Sequence, residues 1–105
     1  MRALSLAIAT VATLASATFA FAADRVSDGE YLKAARCTGL AQGADQGAQN
    51  FEAFLQAQAK GRQSAVSERA DKIRDKARHA ARIANDTQKG VFTEELSGAC
   101  AAYRS

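Results

Sequence analysis

Apolar and polar positions divide the chain in two. Residues 3–23 carry no charge, while from Asp24 onward charged residues interrupt the apolar ones every few positions. In that second part apolar residues recur at three- and four-residue steps, without the alternation of a strand, and this period predicts helices. Ser27-Asp28-Gly29-Glu30 fits a capping box: Ser27 accepts from the backbone near Glu30 and Glu30 reaches back, with Val26 placed to staple Tyr31. A first helix is expected from there to about Leu40 or Gln42. Gly39, Gly43 and Gly47 are spaced as in tightly packed helix pairs, but Gln42, Asp45 and Gln46 interrupt them. The expectation is therefore a helix end followed by a turn.

A second helix is expected over 50–59, with Phe51, Phe54 and Leu55 on one face and Gly61 breaking or bending it. From about Ser64 to Asp86, Val66, Ala70, Ile73, Ala77, Ala80 and Ala84 form a seam of mostly small residues at alternating steps of four and three. Its length suits a helical hairpin within one bundle. Gly90 is expected to cap this helix, and Thr93 to start a last one on which Leu96, Cys100 and Tyr103 share a face. The fold class is all-α: a small three- to four-helix bundle or helical hairpin.

The uncharged stretch changes the boundaries. Arg2, an apolar run and Ala20-Phe21-Ala22 have the order of a secretory signal peptide. Cleavage is expected between Ala22 and Ala23, which makes 1–22 a leader and 23–105 a single small helical domain. An uncleaved anchor is the rival; Thr10, Thr13, Ser16 and Thr18 make the run a poor membrane span. The expected location is periplasmic or secreted, with no stable membrane span after cleavage.

Composition then constrains stability. Residues 23–105 contain only 14 large apolar side chains, and neither Trp nor Met. A core that thin calls for a staple. Cys37 shares a helix face with Ala34, Leu40 and Ala41, and Cys100 with Leu96 and Tyr103, so both thiols face inward. In an exported chain with two cysteines, a Cys37–Cys100 disulfide joining the first and last helices is the simplest use.

The remaining chemistry is sparse. His79, the one histidine, follows Asp75 by four residues, the spacing of an ordinary solvated helix pair. Two cysteines and one histidine are too few for a structural zinc site. No phosphate loop and no catalytic carboxylate pair occurs, so no catalytic, cofactor-binding or metal-binding residue is assigned. Asn85-Asp86-Thr87 fits a glycosylation acceptor, which matters only in a eukaryotic source.

Charge adds one candidate surface. The whole chain is +3, and loss of the leader removes Arg2. Between Lys60 and Lys89 there are nine Lys or Arg against four Asp or Glu. At ~100° per residue, Arg69, Lys72 and Lys76 fall on one flank of the seam and Arg74 and Arg78 on the other, with the acids near the back. The simplest role of such stems is to cover the edges of a thin core. If the chain has a partner, it is anionic and meets Arg69, Lys72 and Lys76: an envelope protein or an anionic envelope surface. Nucleic acid is not expected, because no aromatic residue interleaves these charges. The expected function is that of an exported, non-enzymatic accessory or binding protein of the cell envelope. The alternatives are a periplasmic holdase using its thin core and, far behind, a small enzyme.

Overall fold

The computed structural model describes residues 25–105; the expected leader and the Ala22–Ala23 junction lie outside them. Four α-helices occupy this region: α1 (Asp28–Ala44), α2 (Ala48–Gln58), α3 (Ser64–Arg82) and α4 (Asp86–Ser97). A 3-10 turn, Ala101–Tyr103, follows, and no strand occurs among the described residues. α1 is the central element and packs on α2, α3 and α4, whereas α3 packs almost wholly on α1. The residues of α1 reflect that position: Tyr31, Ala34, Ala35, Cys37, Thr38 and Gly39–Ala41 are all buried.

The start of α1 forms by half of the expected box. Ser27 Oγ accepts from the Glu30 amide at 3.1 Å. The Glu30 carboxylate accepts a hydrogen bond from the Tyr103 hydroxyl instead of reaching back. That bond fastens the C-terminal turn to the first turn of α1. It holds Glu30 below its ordinary carboxylate value and pushes the Tyr103 phenol up from 10.0 to about 12. A raised phenol pKa means stability that is complete below the unfolded value and is lost as pH climbs from about 10 to 12. Tyr103→Phe is expected to flatten the alkaline limb of a Tm-against-pH curve relative to wild type. An unchanged alkaline slope would count against the bond.

α1 ends in a turn as expected but about two residues later, and its first two glycines lie inside it. The helix runs through Gly39 and Gly43 to Ala44, and Asp45, at φ 56°, closes it in the left-handed region. Both glycines serve helix packing. A Cβ on Gly39 would lie 2.2 Å from the Arg74 carbonyl oxygen of α3, and one on Gly43 would lie 2.2 Å from that of Arg78. Ala77 and Ala81 fill the space facing them. Only hydrogen fits in that gap, so the glycines set how closely α1 and α3 approach. Of the three, Gly47 (φ 64°) is the turn residue, and Gly61 (φ 77°) turns the chain between α2 and α3.

This contact also rotates the expected seam. Ala70, Ala77 and Ala81 are the buried residues of α3, while Ile73 and Ala80 are only half-buried at its margin. The Gly39 and Gly43 gaps draw the helix round toward Ala81 and the backbone of Arg74 and Arg78.

Two further boundaries differ. α3 stops at Arg82, and Asn85 begins α4 rather than ending α3. Asn85 Oδ1 accepts from the Gln88 amide at 2.9 Å, and Gln88 Oε1 accepts from the Asn85 amide at 3.1 Å. This reciprocal box engages the side chain of the Asn-Asp-Thr triplet and leaves Gly90 inside the helix and Thr93 in its middle. α4 then ends at Ser97, so Cys100 sits in the turn beyond it, before the 3-10 turn.

The disulfide forms between Cys37 and Cys100, with the sulfurs 2.02 Å apart. Around it the core is small: among the described residues, seven of the 15 buried apolar ones are alanines. Among the larger ones are Leu40, Phe51 and Leu96, with Phe54 meeting the Tyr103 ring edge-on at 5.7 Å.

Candidate functional site: a basic flank beside an apolar groove

Because α3 is covered by α1 on one side only, much of its circumference is open. Arg69, Lys72 and Lys76 are exposed, and helical spacing sets them on one flank. None of them forms an ion pair with any described residue. The cations of the opposite flank are engaged: Arg74 lies 3.6 Å from both Asp71 and Asp75, and Arg78 lies 3.0 Å from Asp75. Asp71 and Asp75 are thereby drawn toward the paired flank, while Glu68, the other acid of α3, lies one turn before Lys72 and forms no ion pair among the described residues.

Beside the unpaired flank runs a groove of about 380 Å³ between α1 and α3, lined by Arg36, Ile73, Lys76, Ala77 and Ala80. Its floor is apolar because the seam has rotated and left Ile73 and Ala80 only partly covered. Arg36, on the α1 bank, donates two hydrogen bonds to Glu95 of α4, at 2.8 and 3.0 Å. That pair engages Arg36 with Glu95 on the α4 side, and Lys76 on the α3 bank has no ion-pair partner among the described residues.

No protein-family model, curated protein or solved structure matches the chain.

A second concavity, of about 320 Å³, opens between α1, α2 and α3. Gln42 Nε2 donates to Glu52 there at 2.9 Å, while Gln42 Oε1 and Arg74 Nε are shut from water without a hydrogen-bond partner. His79 is exposed, and its neighbour Asp75 engages Arg78 and Arg74. Among the described residues no group of three His, Cys, Asp or Glu is placed to hold a metal ion. No described helix is long and apolar enough to cross a membrane.

Arg62 has a role that sequence reasoning did not isolate. Counted among the cations of the basic stretch, it is a clamp with a side chain only 2% exposed. It donates to Asp28 Oδ1 at 2.8 Å, to the Val26 carbonyl at 2.7 Å and to the Gln58 carbonyl at 2.9 Å. Its guanidinium also lies 4.7 Å from the Tyr31 ring centre. The guanidinium fork suits such convergence, and it ties the entry of α1 to the α2–α3 turn. The one available signal was position: Arg62 follows the turn glycine Gly61, where a long side chain can reach two helix ends.

Proposed function

We propose that the chain is exported and acts as a non-catalytic binding module of the cell envelope, meeting an anionic partner along the outer flank of α3. The observation that carries this reading is the contrast between the two flanks of one helix. Arg74 and Arg78 are paired with acids, whereas Arg69, Lys72 and Lys76 stand unpaired and exposed beside an apolar groove. Export is supported by the Arg2, apolar run and Ala20-Phe21-Ala22 order, and by a disulfide of the kind that persists in oxidising compartments. The non-catalytic reading rests on the inventory of groups: one exposed histidine and no free thiol.

Exposed charges are screened over about 8 Å at physiological ionic strength, so binding through this flank should weaken sharply with salt. The test is sedimentation of the oxidised protein with anionic vesicles, acidic envelope polymer or envelope extract at low and high salt. Arg69, Lys72 and Lys76 are changed together to Gln in a parallel sample. The variant is expected to keep its helical circular dichroism, because Gln is nearly as good a helix former, and to lose the salt-sensitive binding. Equal binding by both proteins would return the three side chains to a solvated rim. N-terminal sequencing of the exported protein tests the leader; a first residue other than Ala23 contradicts it.

A further inference from the structure

We infer that the partner which fills the groove between α1 and α3 is an amphipathic helix of another protein, apolar along its centre and acidic along its edge. This rests on the anionic-partner reading and narrows it to one class. The shape of the groove separates a protein from a lipid surface. Its apolar residues are recessed: Ala77 is 3% exposed, and Ile73 and Ala80 are half-buried between taller Arg36 and Lys76 stems. A bilayer surface gains by taking up protruding apolar side chains, and a groove floored by alanine offers it almost none. A row of side chains can enter where a flat surface cannot.

Spacing separates a helix from an extended segment. Ile73 and Ala80 are seven residues apart, with Ala77 between them, which is a heptad step of about 10.5 Å along α3 at ~1.5 Å per residue. Arg69 and Lys76 repeat the same step on the adjoining flank, with Lys72 between them. An apolar row and a charged row therefore run side by side in register. This is the arrangement by which one helix of a coiled coil presents its seam and its edge charges. A helix with apolar residues at heptad spacing and Glu or Asp along one edge matches both rows at once. It would take the apolar residues that α1 leaves uncovered and supply the carboxylates the flank lacks. Asp71 and Asp75, turned toward Arg74 and Arg78, do not oppose it, and the remaining acid of α3, Glu68, stands at the N-terminal end of the row, beside Arg69 and one turn before Lys72.

The test uses the oxidised chain beginning at Ala23 and a synthetic three-heptad helix with Leu at the seam and Glu at the edges. A scrambled peptide of the same composition and anionic phospholipid vesicles serve as the comparisons, each at low and high salt. Saturable binding of the helix is expected, with little binding of the scrambled peptide. Affinity is expected to fall on the order of tenfold when Arg69, Lys72 and Lys76 are all Gln, and again at high salt. Ala80→Phe, which fills the groove from its margin, is expected to abolish binding with circular dichroism unchanged. Should Ala80→Phe disturb the fold, Lys76→Glu on the exposed rim serves instead and is expected to weaken binding as strongly.

Equal affinity for the scrambled peptide, or full binding by the groove variant, overturns the inference. Salt-sensitive binding to vesicles without binding to the helix overturns it too, but leaves the anionic-partner reading standing. Absence of salt-sensitive binding to either overturns both. Self-association that Ala80→Phe abolishes would assign the groove to a second copy of the chain and likewise overturn it.

Discussion

Opening the Cys37–Cys100 disulfide is expected to lower the unfolding free energy by about 4 kcal/mol. The bond joins residues 63 apart. In the chain-entropy account, a closed loop of that size restricts the unfolded ensemble by roughly 4 kcal/mol. That is a large share of the 5–15 kcal/mol or so by which small domains are stable. Here it acts on a core in which, among the described residues, alanines supply seven of 15 buried apolar positions and so contribute little area each. It also fastens a segment with few other ties. Beyond α4, the C-terminal residues are held by the Tyr103–Glu30 bond, the packing of the Tyr103 ring and the Ser105 amide donating to the Asn50 carbonyl at 3.1 Å. The measurement is urea unfolding followed by circular dichroism, with and without reductant, and for Cys37→Ser combined with Cys100→Ser. The reduced protein and the double variant are expected to unfold at similar, much lower urea midpoints. An unchanged midpoint would mean that the α1–α3 contact alone sustains the domain.

Gly39→Ala is expected to destabilise the protein by about 2–3 kcal/mol, although alanine is the better helix former by ~1 kcal/mol. The reason is the 2.2 Å between the added Cβ and the Arg74 carbonyl oxygen, with the Ala77 methyl at 2.9 Å. The opposing atom is backbone, so it cannot turn aside as a side chain would. The two helices must part by on the order of 1 Å, which sacrifices packing along their whole contact. Gly43→Ala meets the Arg78 carbonyl at the same 2.2 Å and should behave alike. In a domain of this size the loss corresponds to a fall in Tm of about 10–20 °C. Gly90→Ala provides the internal comparison, because Gly90 lies within α4 with nothing inside 4 Å of an added Cβ. That change should stabilise by about 0.5–1 kcal/mol through helix propensity and reduced unfolded-state freedom. The same substitution is thus expected to carry opposite signs at two helical glycines. Equal effects at both would refute the tight α1–α3 contact.

The sequence by itself determined those features that depend on neighbours along the chain. All-helical structure followed from period and composition, and Ser27 capped α1 as read. Gly61 fell in a turn, and the inward faces of two cysteines anticipated their bond. The flank of Arg69, Lys72 and Lys76 followed from helical geometry alone, apart from its acids. Asn85 carries a local signal as well: its Asn-x-x-Gln box starts a helix as plainly as Ser27 does, and it outweighs Gly90 as a stop. Tertiary structure decided the rest, because those features depend on residues brought together from afar. Whether Gly39 and Gly43 end a helix or seat another depends on whether α3 presents Ala77, Ala81 and two backbone carbonyls opposite them. Whether Glu30 closes its own cap depends on Tyr103, 73 residues later. Arg62 became a buried clamp only when the entry of α1 and the end of α2 met around it. The groove has the same origin. The glycine gaps turn α3 about its axis, and that rotation leaves Ile73 and Ala80 at the margin beside cations that find no acid of their own.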